Sequence, residues 1–358
     1  WETTTEYNTG LDATFLKGKL RFTVDVYQKY VKDLLQPKVK MPTTIGYGNG
    51  YQISYMNSGK MTNKGWEFRV DAVPFQNKDW RVGVYFNIAH NENKITEMPD
   101  NYIEENYTFG NGNYAYRSEE GRPMGSFYGY RYKGVYQNKD ATYARDIEGN
   151  VMKDISGNAI VMRNGSYTVA PGDAIYEDVN HDGVINQYDI VYLGNSNPRL
   201  TGGAGLNVSY KQFKLSAIFY GRYGQDVVNA TRLNNESMRG IDNQSTAVLR
   251  RWRNEGDQTD IPRALYGEGY NTLGSDRFVE DASYLRLKSL SFTYRLPKKA
   301  IQRWGFNNID VYVTGYNLFT WTKYTGQDPE VKTENTYARD TATTPASIQL
   351  VAGFNLSF

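Results

Sequence analysis

The sequence has 358 residues, a formal net charge of +2 and no cysteine. This excludes disulfides, thiolate metal sites and cysteine nucleophiles, and it gives no electrostatic footprint for nucleic acid. Mean hydropathy is −0.66 and no apolar run reaches the length of about 18 residues that a transmembrane helix needs; a transmembrane barrel, in which only alternate residues face lipid, stays open.

The first segment, Thr9 to Phe15, places Thr9, Leu11, Ala13 and Phe15 on one face, and a tight turn at Lys17-Gly-Lys19 follows. The return strand puts Leu20, Phe22, Val24 and Val26 outward, with Arg21, Thr23, Asp25 and Tyr27 inward. Such alternation predicts a strand with one apolar and one polar face. After a polar segment from Asp33 to Ser58 come a strand carrying Trp66, Phe68, Val70 and Ala72, a turn from Pro74 to Asp79, and a strand with Trp80, Val82, Val84, Phe86 and Ile88 against Arg81, Gly83, Tyr85 and Asn87. A loop from Asn91 to Tyr114 leads to expected strands near Tyr116–Glu120 and Phe127–Tyr136, joined at Gly121–Gly125. Residues 138–198 read as a long loop. Leu200–Tyr210 and Phe213–Gly221 form a hairpin, and residues 222–281 a second long loop with a short helix at Ser245–Trp252. The strand Ser283–Leu296 changes phase, which predicts a bulge near Lys288–Ser289. A turn, the strand Ile309–Trp321, a loop from Thr322 to Pro345 and a closing strand from Ile348 to Phe358 complete the chain.

Eleven strands are therefore expected, with short turns alternating five times with long loops. All short turns then lie at one end of the sheet, as in outer-membrane barrels with short periplasmic turns and long extracellular loops. The expected fold is all-β, a transmembrane antiparallel up-and-down barrel. An odd strand number does not close a one-chain bacterial barrel, and Trp1-Glu-Thr-Thr-Thr carries no leader, so a portion of a larger barrel is expected. A soluble glycan-binding β-protein and a passive porin are the alternatives on physical grounds.

Asp178-Val-Asn-His-Asp-Gly183 continuing to Asp189 fits a calcium loop. Asp178, Asn180, Asp182, Asn186 and Asp189 supply side-chain oxygens at the usual spacing, Val184 a carbonyl, and Gly183 the sharp turn. Asp in place of Glu at the last position shortens the closing arm, and without flanking helices this Ca2+ would be a structural clip. His90 and His181 are the only histidines, far apart and without metal-spaced partners, so no enzyme is expected. Candidate ligand contacts are the inward Arg21, Asp25, Arg81 and Tyr85 and the loop aromatics Tyr47, Tyr51 and Tyr107, with Tyr102, Phe109 and Tyr114 beside them. Aromatic faces of this kind stack on sugars or grip peptides, or simply pack the loops.

Several segments resemble, in order, the SusC/RagA family of TonB-dependent outer-membrane transporters of Bacteroidetes. They are Asn8-Thr-Gly-Leu-Asp12, Asn57-Ser-Gly-Lys60 with Asn63-Lys-Gly-Trp-Glu67, Gly172-Asp-Ala-Ile-Tyr-Glu-Asp-Val-Asn-His-Asp-Gly183, Leu193-Gly-Asn-Ser-Asn-Pro198, Tyr210-Lys-Gln-Phe213, Gly221-Arg-Tyr-Gly-Gln-Asp226, Ser283-Tyr-Leu-Arg-Leu287, Asn317-Leu-Phe319 and Tyr324-Thr-Gly-Gln-Asp-Pro-Glu330. The resemblance implies a 22-stranded barrel of which this chain is the C-terminal half, with plug and TonB box elsewhere. It also implies a SusD/RagB-like surface lipoprotein as partner, energy from TonB, and import of oligosaccharides or peptides through the outer membrane. In such proteins the terminal strand is the signal for the assembly machinery, which here points to Phe354, Leu356 and Phe358.

Overall fold

The computed structural model describes residues 1–40, 52–98, 110–116, 118–267, 269–331, 333–334 and 337–358. Among these, nine long strands form one antiparallel sheet in which sequence neighbours are also spatial neighbours. They are β1 (Thr3–Phe15), β2 (Leu20–Lys32), β3 (Lys60–Gln76), β4 (Trp80–Glu97), β5 (Leu200–Tyr210), β6 (Phe213–Tyr223), β7 (Tyr284–Arg295), β8 (Asn308–Thr322) and β9 (Gln349–Ser357). The connections at 16–19, 77–79, 211–212 and 296–307 are short, and those at 33–59, 98–199, 224–283 and 323–348 are long. The rhythm is thus four-fold, with all short turns at one end.

The two expected strands near Tyr116 and Phe127 do not join this wall, so the sheet has nine strands and not eleven. Instead Ala115–Tyr116, Ser126–Gly129 and Val191–Asn195 form a small separate sheet. The physical reason lies in burial. Ser126, Phe127, Tyr128 and Gly129 are all buried, so this segment has two covered faces, whereas a wall strand has one face on lipid and one on the lumen. Losing two strands preserves parity, so β9 still runs toward the short-turn end.

The register aligns the outward residues into continuous apolar rows. At the short-turn end Trp80, Tyr210, Phe213, Tyr294, Val311 and Phe354 lie side by side. Trp80 and Tyr210 are 4.2 Å apart between ring centroids, Phe213 and Tyr294 4.9 Å. Such aromatics belong at the edge of an apolar belt. Large outward side chains stay uncovered: Phe319 is 60% exposed and Leu350 76%. The expected bulge is present, since β7 slips register against both neighbours between Leu287 and Ser289. β3 runs on through Pro74, expected to start a turn, to Gln76, with a register shift between Ala72 and Phe75; a bulge tolerates the missing proline N–H. β9 pairs with β8 from Asn308↔Ser357 to Tyr316↔Gln349.

The buried hydrophobic clusters lie in the long connections. One gathers Tyr128, Tyr130, Tyr136, Tyr176, Ile185 and Leu273. A second combines Tyr114, Phe127, Val228, Leu233 and Phe278, with Tyr337 packed against it. The second and third long connections therefore share cores, joined by part of the fourth, and form a lobe over the loop-side end of the wall. The expected helix at Ser245–Trp252 is a 3-10 turn over Thr246–Arg250, capped by the Ser245 hydroxyl.

Candidate functional site: the inner face and the loop lobe

The inner face of the wall is polar because the alternation that turns the apolar set outward turns its partners inward. Register places Arg21, Asp71, Tyr85 and Gly205 in one row, and Thr23, Arg69, Asn87 and Gly203 in the next. Arg69 grips Asp71 with two parallel bonds, Nε to Oδ2 at 2.7 Å and Nη2 to Oδ1 at 2.8 Å. Its guanidinium carbon lies 5.7 Å from the Tyr85 ring centre. Arg21 faces Asp12 at 3.8 Å, and Asp12 also accepts from the Thr23 hydroxyl at 2.5 Å. Arg21, Thr23, Arg69, Asp71, Tyr85 and Asn207 border a cavity of about 510 Å³.

Tyrosines on this face lie flat over glycines of the adjacent strand. A Cβ at Gly205 would collide with the Tyr85 ring, one at Gly65 with Tyr27, and one at Gly353 with Tyr312. The bare backbone of glycine gives each ring its bed, a cross-strand pairing that also stabilises the glycine. Part of the chain's tyrosine content is accounted for in this way.

Of the expected ligand contacts, Arg21 and Tyr85 meet in one cavity. Asp25 lies beyond it toward the loops, over Gly10 and beside Glu67, and Arg81 lies toward the short turns, opposite Gln76 and Ser209. Tyr47, Tyr51, Tyr102, Tyr107 and Phe109 lie outside the described residues. Tyr114 is a core residue: it is 5% exposed and its hydroxyl donates to the Ser275 carbonyl at 2.8 Å. Sequence reading missed Arg69 and Asp71, although their parity in β3, opposite to Phe68 and Val70, marks them as inward.

The segment 178–189 folds as a tight loop on the lobe. The two Asp178 oxygens accept from the N–H groups of Asp182 (3.2 Å) and Gly183 (2.8 Å). Asn180 Oδ1 also accepts from Asp182, and Asp182 Oδ1 accepts from Val184. Gly183 takes φ +83°, and a Cβ there would sit 3.0 Å from Ala144, so a sharp, closely packed turn requires glycine. Asp189 is fully buried and its oxygens accept from the N–H groups of Val179 and Asn186, both at 2.8 Å. Burial pushes its carboxyl above the ordinary range despite these bonds. Asn186 Nδ2 donates to the Val184 carbonyl at 3.0 Å. Among the described residues no three acidic or histidine side chains converge; the donors here are a mixture of carboxylate, amide and carbonyl oxygens, which is the set a hard cation takes.

Deeper in the lobe, the fully buried Asp173 carboxylate accepts from Arg263 Nε (2.7 Å) and Nη2 (3.2 Å), Asn271 Nδ2 (3.0 Å), the Tyr167 hydroxyl (2.9 Å) and the Ala170 N–H (2.8 Å). Burial, reinforced by the Asp173 charge, pushes the Tyr167 hydroxyl up to about 12. Arg263→Met is expected to destabilise the lobe by roughly 3 kcal/mol, because it strands a buried carboxylate. Limited proteolysis across 160–270 checks this; an unchanged cleavage rate would show that the bond is dispensable.

A wall that is apolar outside and polar inside, with turns at one end and a folded lobe at the other, defines an outer-membrane β-barrel. TonB-dependent receptor P3 of Formosa agariphila is 32% identical over 342 residues, which is 94% of this chain and 31% of that protein. TonB-dependent receptor SusC of Bacteroides thetaiotaomicron is 29% identical over 367 residues, 100% of this chain and 32% of that protein. The solved structure of the RagAB peptide importer in the 'closed-closed' state superposes with a TM-score of 0.74 at 28% identity, covering 100% of this chain and 36% of that one. No protein-family profile matches the chain. The chain is similar to the C-terminal part of TonB-dependent receptors of the SusC/RagA kind, and its place is the bacterial outer membrane. It spans about a third of the length of these relatives.

Proposed function

We propose that the chain forms part of the barrel of a TonB-dependent importer that takes a peptide or an oligosaccharide through the outer membrane with a SusD-like surface lipoprotein. The carrying observation is the two-faced wall, whose inner side presents Arg21, Arg69, Asp71 and Tyr85 to a cavity while its outer side is apolar. Such a surface offers hydrogen bonds and stacking to a hydrated oligomer without a deep apolar trap. The names of RagAB, a peptide importer, and SusC support the class of activity. In this reading the lobe faces outward, strands from elsewhere in the receptor complete the barrel beside β1 and β9, and TonB acts through a plug N-terminal to this chain. Tyr47, Tyr51 and Tyr107 are assigned to the outer loops where the substrate enters.

The test is uptake of labelled peptide and oligosaccharide pools by cells carrying the full-length receptor. Import should cease without TonB and should fall when Tyr85 and Arg69 are both changed to alanine. Uptake that continues without TonB would mean a passive pore. A receptor monodisperse in plain buffer would mean a soluble β-protein.

We also propose a structural Ca2+ in the loop 178–189, supported by the oxygens that Asp178, Asn180 and Asp182 gather at its first turn. Calcium should raise the unfolding temperature of the lobe, and Asp178→Ala should remove that shift. A wild-type unfolding temperature indifferent to calcium and chelator would refute it.

A further inference from the structure

The outer face of the wall has a gap in its apolar rows. Register sets Phe86, Ala204, Phe219, Leu287 and Phe319 side by side. The next row toward the lobe reads Ile88, Gly202, Gly221, Leu285 and Trp321. Two adjacent glycines thus interrupt a bulky row. A Cβ at Gly202 would come within 2.5 Å of the Asn87 carbonyl oxygen, and one at Gly221 within 2.7 Å of that of Tyr284, so the strands approach too closely for any larger residue. The outcome is a groove of about 690 Å³, with Gly202, Ala204 and Gly221 as its floor. Phe86 and Ile88 form one wall. The other is an aromatic bank in which Trp321 stacks on Phe219 at 6.5 Å and on Phe319 at 6.2 Å. The groove crosses β4 to β8, and β9 pairs with β8 only as far as Tyr316, short of the Trp321 bank.

At its lobe-side lip stand Tyr223 and Lys323, both exposed. Lys323 has no ion-pair partner among the described residues. Asp281, on the same lip, is engaged by the N–H and hydroxyl of Ser283. Lys323 therefore presents a cation above an apolar trough.

We infer that this groove holds an acyl chain of a phosphate-bearing outer-membrane lipid, with the headgroup phosphate at Lys323. The inference rests on the outer face of the wall meeting lipid. The groove is continuous with that lipid-facing belt, so a lipid tail is the apolar chain present at its depth. A tail seated there regains the dispersion contacts that the two glycines leave unmade, and a lysine at the headgroup level adds electrostatic attraction for an anionic lipid.

The full-length receptor in nanodiscs of mixed phosphatidylglycerol and phosphatidylcholine, released into mild detergent and examined by native mass spectrometry, tests this. Wild type should retain one phosphatidylglycerol. Ala204→Phe raises the floor between Phe86 and Phe219 and should cut retention roughly tenfold. Lys323→Ala, at an exposed strand end, should lower phosphatidylglycerol retention roughly fivefold and erase its preference over phosphatidylcholine. Ala352→Phe, outward but remote from the groove, should change nothing. Wild-type retention in Ala204→Phe, no retained lipid in wild type, or a second protein chain bound there instead would overturn the inference. A receptor that needs detergent yet holds no lipid removes only the groove; one stable without detergent removes the membrane reading itself.

Discussion

Replacing Arg286 by methionine is expected to destabilise the receptor by roughly 4–5 kcal/mol and to free its last long connection. Arg286 stands on the inner face of β7, and its side chain is 3% exposed. Its Nη2 donates to Asp328 Oδ1 at 2.5 Å, Nη1 to Glu330 at 2.8 Å and Nε to the Thr320 hydroxyl at 2.8 Å. Asp328 in turn accepts from the N–H groups of Glu330 and Ala346, both at 2.9 Å. One guanidinium thus gathers two points of the 323–348 connection that are eighteen residues apart. Methionine keeps the apolar stem but leaves Glu330 with Lys288 at 2.8 Å and Asp328 with no salt bridge among the described residues. Lysine in place of Arg286 should recover little, since it lacks the planar fork. Calorimetry of the purified receptor and protease cleavage within 323–348 read the effect. Adding Asp328→Asn and Glu330→Gln to Arg286→Met should restore part of the loss, because no stranded carboxylate is then left behind. An unchanged unfolding profile for Arg286→Met would contradict the pinning role.

Removal of residues 355–358 should abolish accumulation of folded receptor in the outer membrane. These residues supply the last three rungs of the β8–β9 ladder, Asp310↔Asn355, Ile309↔Leu356 and Asn308↔Ser357. They also supply the Ser357 carbonyl, which accepts from the Asn307 N–H at 2.7 Å, and Phe358, whose ring lies 4.8 Å from Phe306. Phe354, Leu356 and Phe358 project from one face into the apolar belt, and all three are at least 40% exposed. A strand with that face is suited to be read by an assembly machine while the seam is open. Heat-modifiable gel mobility and membrane fractionation give the readout, and normal insertion of the shortened receptor would remove the assembly role.

Much of the wall was legible because a barrel strand obeys a period of two without interruption. The phase change at Lys288–Ser289 was legible for the same reason: one inserted residue inverts every later side chain. The segment Phe127–Tyr136 misled because aromatic content imitates a strand in a membrane wall. What distinguishes it is the run Phe127–Tyr130, uncharged and buried on both faces, and that marks a covered segment of a folded lobe. Partners far apart in sequence, such as Arg286 with Asp328 and Arg263 with Asp173, carry no local pattern, and only the tertiary fold brings them together. The same holds for tyrosines bedded on glycines, since Tyr85 and Gly205 meet only through the β4–β5 register.

The shared cores of the lobe also set an order in time. Its second cluster draws Tyr114 and Phe127 from before β5, Val228 and Phe278 from between β6 and β7, and Tyr337 from after β8. The bond from the Tyr114 hydroxyl to Ser275 spans 161 residues. Contacts of such separation form late, because the intervening chain must first lose its freedom. Until the segments after β6 and after β8 are placed, Phe127 lacks Val228, Phe278 and Tyr337, and a stalled intermediate displays it to chaperones and proteases. Closure of the lobe is therefore a late checkpoint in biogenesis, passed only when nearly all of this wall has been laid down.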